Sequence, residues 1–144
     1  MKLFTMLFLS LFVSKSCESQ TKNELKTAVI EYTANTRGFY QKTTIQDQMV
    51  SVSKDRSGNV KSVNVKISDK DWNELVGYFE TINLDELETL KAPTEKRFND
   101  GAAIANLEVM YKDKLYKTSS FDHGYPPDAI KKIVDKINSF AKKE

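Results

Sequence analysis

The stretch SDKDWNELVGYFETI, Ser68 to Ile82, decides how the rest of the chain is read. Trp72, Leu75, Val76, Phe79 and Ile82 recur at spacings of three and four, which marks a helix with one apolar stripe; Lys70, Asp71, Asn73, Glu74 and Glu80 fall outside it. Ser68, with Asp71 three residues on, offers a side-chain acceptor to the first-turn amides and a negative charge at the positive end of the helix dipole. A stripe that carries Trp72 and Phe79 needs a broad apolar surface opposite it, so Trp72 is read as core. Alternating strands on both sides in sequence can supply that surface.

Upstream, Ala28 to Asn35 alternates as a half-buried strand, with Ala28, Ile30, Tyr32 and Ala34 on one side. Thr36-Arg37-Gly38 breaks it, Phe39 to Gln46 restarts the alternation, and Met49 to Lys54 and Val60 to Ile67 extend a meander. The intervening DRSGN, Asp55 to Asn59, is turn chemistry; it lacks the third acidic position and the closing Glu of a calcium loop. Downstream, Ile104 to Tyr111 and Leu115 to Phe121 form a hairpin about Lys112-Asp113-Lys114. DHGYPP, Asp122 to Pro127, then leads into a last helix whose stripe is Ile130, Ile133, Val134, Ile137 and Phe140. Hairpin then helix occurs twice, the plan of a ββα pseudo-repeat. The expected fold is two-layer α+β, with one antiparallel sheet of about six strands and both helices packed on one face. Asn83 to Ala103 is long for a connection and is one place to look for function; Leu84, Leu87 and Leu90 give it a helical turn or two before Pro93.

The first sixteen residues read as a signal peptide: Met1-Lys2, an apolar run from Leu3 to Val13, and small residues up to Ser16. The run is shorter than the roughly 20 apolar residues a spanning helix needs. Cys17, the only cysteine, follows at once and has no partner for an internal disulfide. Val-Ser-Lys-Ser-Cys, residues 13–17, resembles a bacterial lipobox, in which the cysteine carries the lipid and becomes the mature N-terminus. Ser14 and Ser16 also satisfy ordinary signal peptidase, which would release a soluble chain starting at Cys17. Residues 17–27 are read as a polar tether and 28–144 as a single domain. Lys2 and Lys15 leave with the leader, so the 22 basic residues fall to the number of acidic ones, 20. A balanced surface with three arginines argues against nucleic acid as a partner.

Thr36 to Tyr40 (TRGFY), Ala92 to Arg97 (APTEKR), Asp100-Gly101-Ala102 and Phe121 to Pro127 (FDHGYPP) together resemble a set of small lipoproteins of Flavobacteria and their relatives in the Bacteroidota. The similarity runs from about Ile30 to Phe140. It implies an exported, envelope-attached protein of two-layer α+β form, with Cys17 as the lipid site, and implies no particular activity.

His123 is the only histidine, so a multi-histidine metal site is excluded, and no metal or other cofactor is expected. Ser120, Asp122 and His123 invite a catalytic triad, but neighbours on a strand or tight turn point apart, and no Gly-x-Ser-x-Gly is present. Asp85, Glu86 and Glu88 read as a solvated face. The glycine-bearing turns at Gly38, Gly101 and Gly124 are expected to converge at one end of the sheet. There Arg37 or Arg97 would pair with Asp100 or Asp122, with Phe98 and Tyr125 as apolar walls. This cluster, His123 included, is the candidate binding or structural site. The leading functional expectation is a non-enzymatic envelope lipoprotein that binds a protein or glycan. The alternatives are an inhibitor-like module and a hydrolase centred on His123.

Overall fold

The computed structural model describes residues 23–142. The leader, Cys17 and residues 18–22 lie outside the described residues. The domain begins earlier than the expected tether boundary. Residues 23–27 are helical, and Leu25, the one apolar side chain in a polar run, is buried in the core.

Strands β1 (Val29–Thr36), β2 (Phe39–Gln46), β3 (Met49–Ser53) and β4 (Asn64–Lys66) precede helix α1 (Asp69–Glu80). After two 3-10 turns, Leu84–Thr89 and Lys96–Asn99, come β5 (Ile104–Tyr111), β6 (Lys114–Lys117) and β7 (Phe121–Asp122). A third turn, Asp128–Ile130, leads into α2 (Lys131–Ala141). All pairings are antiparallel, in the order β4-β3-β2-β1-β5-β6, with β7 also on β5.

Register explains why one face is apolar. Ile30 lies between Ile45 and Val109, Tyr32 between Thr43 and Leu107, and Ala34 between Gln41 and Ala105, so the inward positions line up across three strands. Trp72, Leu75, Val76 and Phe79 of α1 and Ile133, Val134, Ile137 and Phe140 of α2 pack onto that face in one cluster. The opposite face stays open and is laced by Lys42–Glu31 and Lys117–Glu108 ion pairs. The fold is therefore a two-layer α+β domain with an open antiparallel sheet. Ser68 caps α1 as its sequence implied, its Oγ accepting from the Asp71 amide at 3.1 Å.

Two strands differ from expectation. The expected strand runs from Val60 to Ile67, with Val63, Val65 and Ile67 in phase, but only Asn64–Lys66 pairs. Asp55 organises the preceding loop instead, accepting from the Ser57 and Val60 amides at 2.8 Å each. The expected last strand, 115 to 121, is split into β6 and β7 by a bulge in which Thr118, Ser119 and Ser120 oppose Asn106 and Leu107. The buried Thr118 replaces the missing ladder: its Oγ1 accepts from the Leu107 amide at 3.0 Å while its own amide donates to Leu107 O. The sheet edges also differ. The 3-10 turn Leu84–Thr89 packs against β6, with Leu87 fully buried and Ser119 Oγ donating to Glu88 O at 2.8 Å. The β4 edge has no such cover among the described residues.

Candidate functional site

Antiparallel pairing brings the end of β1, the start of β5 and the end of β7 to one end of the sheet, since Asn35 faces Ile104 and Ile104 faces Asp122. The three turns converge there, yet their side chains form two sites rather than one. Asp122 shares the phase of Ile104, which looks onto the open face; His123, the next residue, meets Tyr32 on the helix-covered face. The sheet divides them.

On the open-face side, the Asp122 carboxylate is fully buried and accepts from Thr94 Oγ1 at 2.6 Å, the Lys96 amide at 2.7 Å, the Arg97 amide at 3.0 Å and Arg97 Nη1 at 3.1 Å. Arg97 is buried with it, its Nε donating to Ser120 Oγ at 3.2 Å and its Nη1 also to Thr94 O at 2.8 Å. Burial by itself would raise the Asp122 pKa, but the donors from Thr94, Arg97 and Lys96 outweigh it and take the group from 3.8 to about 2. Every lone-pair direction is used. This cluster ties the connection after Pro93 to the sheet. Gly101 fits the same closure, since a Cβ there would stand 3.2 Å from Lys96 Cβ and Lys96 O.

Phe98 and Tyr125 are exposed on this segment, under the Arg97 guanidinium (4.3 Å) and the Lys96 ammonium (4.4 Å) respectively. The expected partners Arg37 and Asp100 do not join. Asp100 takes a left-handed conformation, φ 56°, and ends the 3-10 turn, while Arg37 is exposed and makes no ion pair among the described residues. Arg56, from the DRSGN loop, holds the β1–β2 turn instead, donating to Asn35 Oδ1, Thr36 O and Phe39 O. Residue count from the turn hid it: Arg56 arrives from seventeen to twenty-one positions away.

On the helix-covered side, His123 Nδ1 lies 2.7 Å from Tyr32 Oη, and its ring packs on Phe39 with centroids 5.2 Å apart. Gln41 Nε2 donates to Asn138 Oδ1 at 2.8 Å, and the Asn138 side chain also acts on the Tyr32 phenol. Burial pushes the Tyr32 phenol up to about 12, so it keeps its proton at neutral pH. Burial, with a smaller push from Lys142, lowers His123 below its ordinary 6.5, so the imidazole is neutral. With Tyr32 as the donor, His123 Nδ1 accepts and the imidazole proton sits on Nε2; the other tautomer reverses the pair. Gln41, His123, Gly124, Asp135 and Lys142 border a recess of about 270 Å³ over this chain, small for a ligand pocket.

Tyr32, Gln41 and Asn138 were not singled out in the sequence, though a signal was present. Gln41 and Thr43 stand in phase with Ile45, so two polar residues occupy inward positions of a half-buried strand. Ser120, Asp122 and His123 do not form a triad; each is committed to a different partner set. Among the described residues no group of three or more His, Cys, Asp or Glu is arranged to hold a metal ion, and no helix is long and apolar enough to cross a membrane. Compared with protein-family models, curated proteins and solved structures, the chain matches none.

Proposed function

We propose that the chain is an exported lipoprotein, held in the bacterial cell envelope by a lipid on Cys17, and that its domain is a non-enzymatic binding module for a protein or glycan. The anchor rests on a lone cysteine directly after the apolar run Leu3 to Val13, and on the likeness of TRGFY, APTEKR and FDHGYPP to flavobacterial lipoproteins. Binding rather than turnover rests on one observation: Tyr32 Oη engages His123 Nδ1 at 2.7 Å, away from Ser120 and Asp122, which are committed to Arg97 and to residues 94–97. In this reading Tyr32 is the donor, so the basic nitrogen of the only histidine is used internally and an N–H donor is left on Nε2. A general base needs a free lone pair within reach of the substrate proton; a recognition site needs an oriented donor.

Cys17→Ser is expected to abolish lipid labelling and shift the protein from the membrane to the soluble fraction. Unchanged membrane partition would remove the anchor. For the domain, the ¹⁵N chemical shifts of the imidazole at pH 7 should report the Nε2–H form. An Nδ1–H form would put the basic nitrogen back into the recess and restore the hydrolase reading.

A further inference from the structure

Val63 and Val65 are 74 % and 57 % exposed, and they have the phase of the face that is core elsewhere. Val65 pairs with the buried Val50, so its side chain has the inward phase. Among the described residues the helices border this corner only through Ser68 and Asp71 at the start of α1 and Phe140 near the end of α2. Together with Val50 and Val52 these residues line a groove of about 300 Å³ that opens at the sheet edge. An apolar strip left open beside a strand edge is an informative exposure, unlike a scattered surface valine.

The backbone of β4 is also available. The Ile67 amide donates to Gln48 O at 2.8 Å, which makes that pair hydrogen-bonded. Alternation along an antiparallel ladder then makes Val50–Val65 bonded too, and turns the N–H and C=O groups of Asn64 and Lys66 away from β3. These groups are a template for one more strand. Charge decides which strand. Residues 55–66 carry Arg56, Lys61 and Lys66 against Asp55, whose carboxylate is used within its own loop. Lys61 and Lys66 are exposed and make no ion pair among the described residues. A second copy would bring the same cations edge to edge, and repulsion disfavours it.

We propose that the β4 edge takes an extended peptide segment of alternating apolar and acidic residues as an added strand. Its apolar side chains enter the groove beside Val63 and Val65, and its carboxylates lie by Lys61 and Lys66. The surface is separate from the His123 recess, and the proposal holds whether or not Cys17 is lipidated.

The test is a titration of the purified protein with a capped six-residue peptide of alternating Glu and Val, read by amide hydrogen exchange. Exchange at Asn64 and Lys66 should slow at least tenfold at saturation. It should stay unchanged with the alternating Lys and Val peptide, and with the Glu-Val peptide N-methylated at alternate residues. The exposed double variant Lys61→Glu with Lys66→Glu should invert the charge preference; if it fails to fold, Lys61→Glu alone should weaken binding of the Glu-Val peptide. Equal slowing by both peptides, no slowing by either, or protection of the same amides that rises with protein concentration alone would each overturn the proposal, the last in favour of self-pairing.

Discussion

Asp122→Ala is expected to lower stability by about 3–5 kcal/mol, the usual cost of removing one partner from a buried ion pair. The loss exceeds that of an ordinary hydrogen bond because the Arg97 guanidinium, two backbone amides and the Thr94 hydroxyl all lose their acceptor inside the protein. Chemical denaturation at neutral pH measures it, and a change under about 1 kcal/mol would mean the carboxylate is not the tie that holds residues 94–97. The same group gives an acid signature. Its folded pKa of about 2 lies below the ordinary 3.8, so its contribution is present above 3.8 and is lost as pH falls towards 2. His123 acts in the same direction at higher pH. Its folded value lies below 6.5, so the unfolded chain takes the proton first, and stability declines as pH falls through 6.5.

Ile133→Ala is expected to cost about 2–5 kcal/mol by leaving a cavity between α2 and the sheet. Ile133 is 1 % exposed, whereas Lys132, one position away, is exposed, so Lys132→Ala should stay within about 0.5 kcal/mol. The pair of variants reads the face of the helix directly; equal effects would mean the stripe is misassigned.

The helices were legible because each stripe has only one way to be buried. β2 and β5 were legible to the residue for a similar reason, their alternation being matched by a neighbour on both sides. Legibility failed where burial depends on what stands opposite. Val63, Val65 and Ile67 alternate as well as Ile30, Tyr32 and Ala34 do, but the corner that Val63 and Val65 reach is left open by both helices. The bulge at Thr118 to Ser120 escaped notice because a threonine hydroxyl standing in for the backbone leaves no mark on hydropathy. The candidate site was legible in its place and only partly in its contacts. Asp122 with Arg97 followed from charge and turn position, while Arg56 and Asn138 act across sequence distances that no local pattern spans.

The extra residue of that bulge has a consequence for how the gene can vary. A strand assigns its side chains by parity, odd to one side and even to the other, and the bulge resets the parity between Lys117 and Phe121. With the reset, Phe121 enters the core and Asp122 reaches Arg97. Without the bulge, regular pairing onward from Glu108–Lys117 would set Ser120 opposite Ala105 and Phe121 opposite Ile104, turning the phenyl ring towards the polar clamp and the carboxylate into the hydrocarbon interior. The length of the linker and the bulge are therefore tied: losing one of Thr118, Ser119 or Ser120 would remove the bulge and leave Phe121 opposite Ala105 by plain alternation, whereas each added residue needs a further irregularity to keep Phe121 inside.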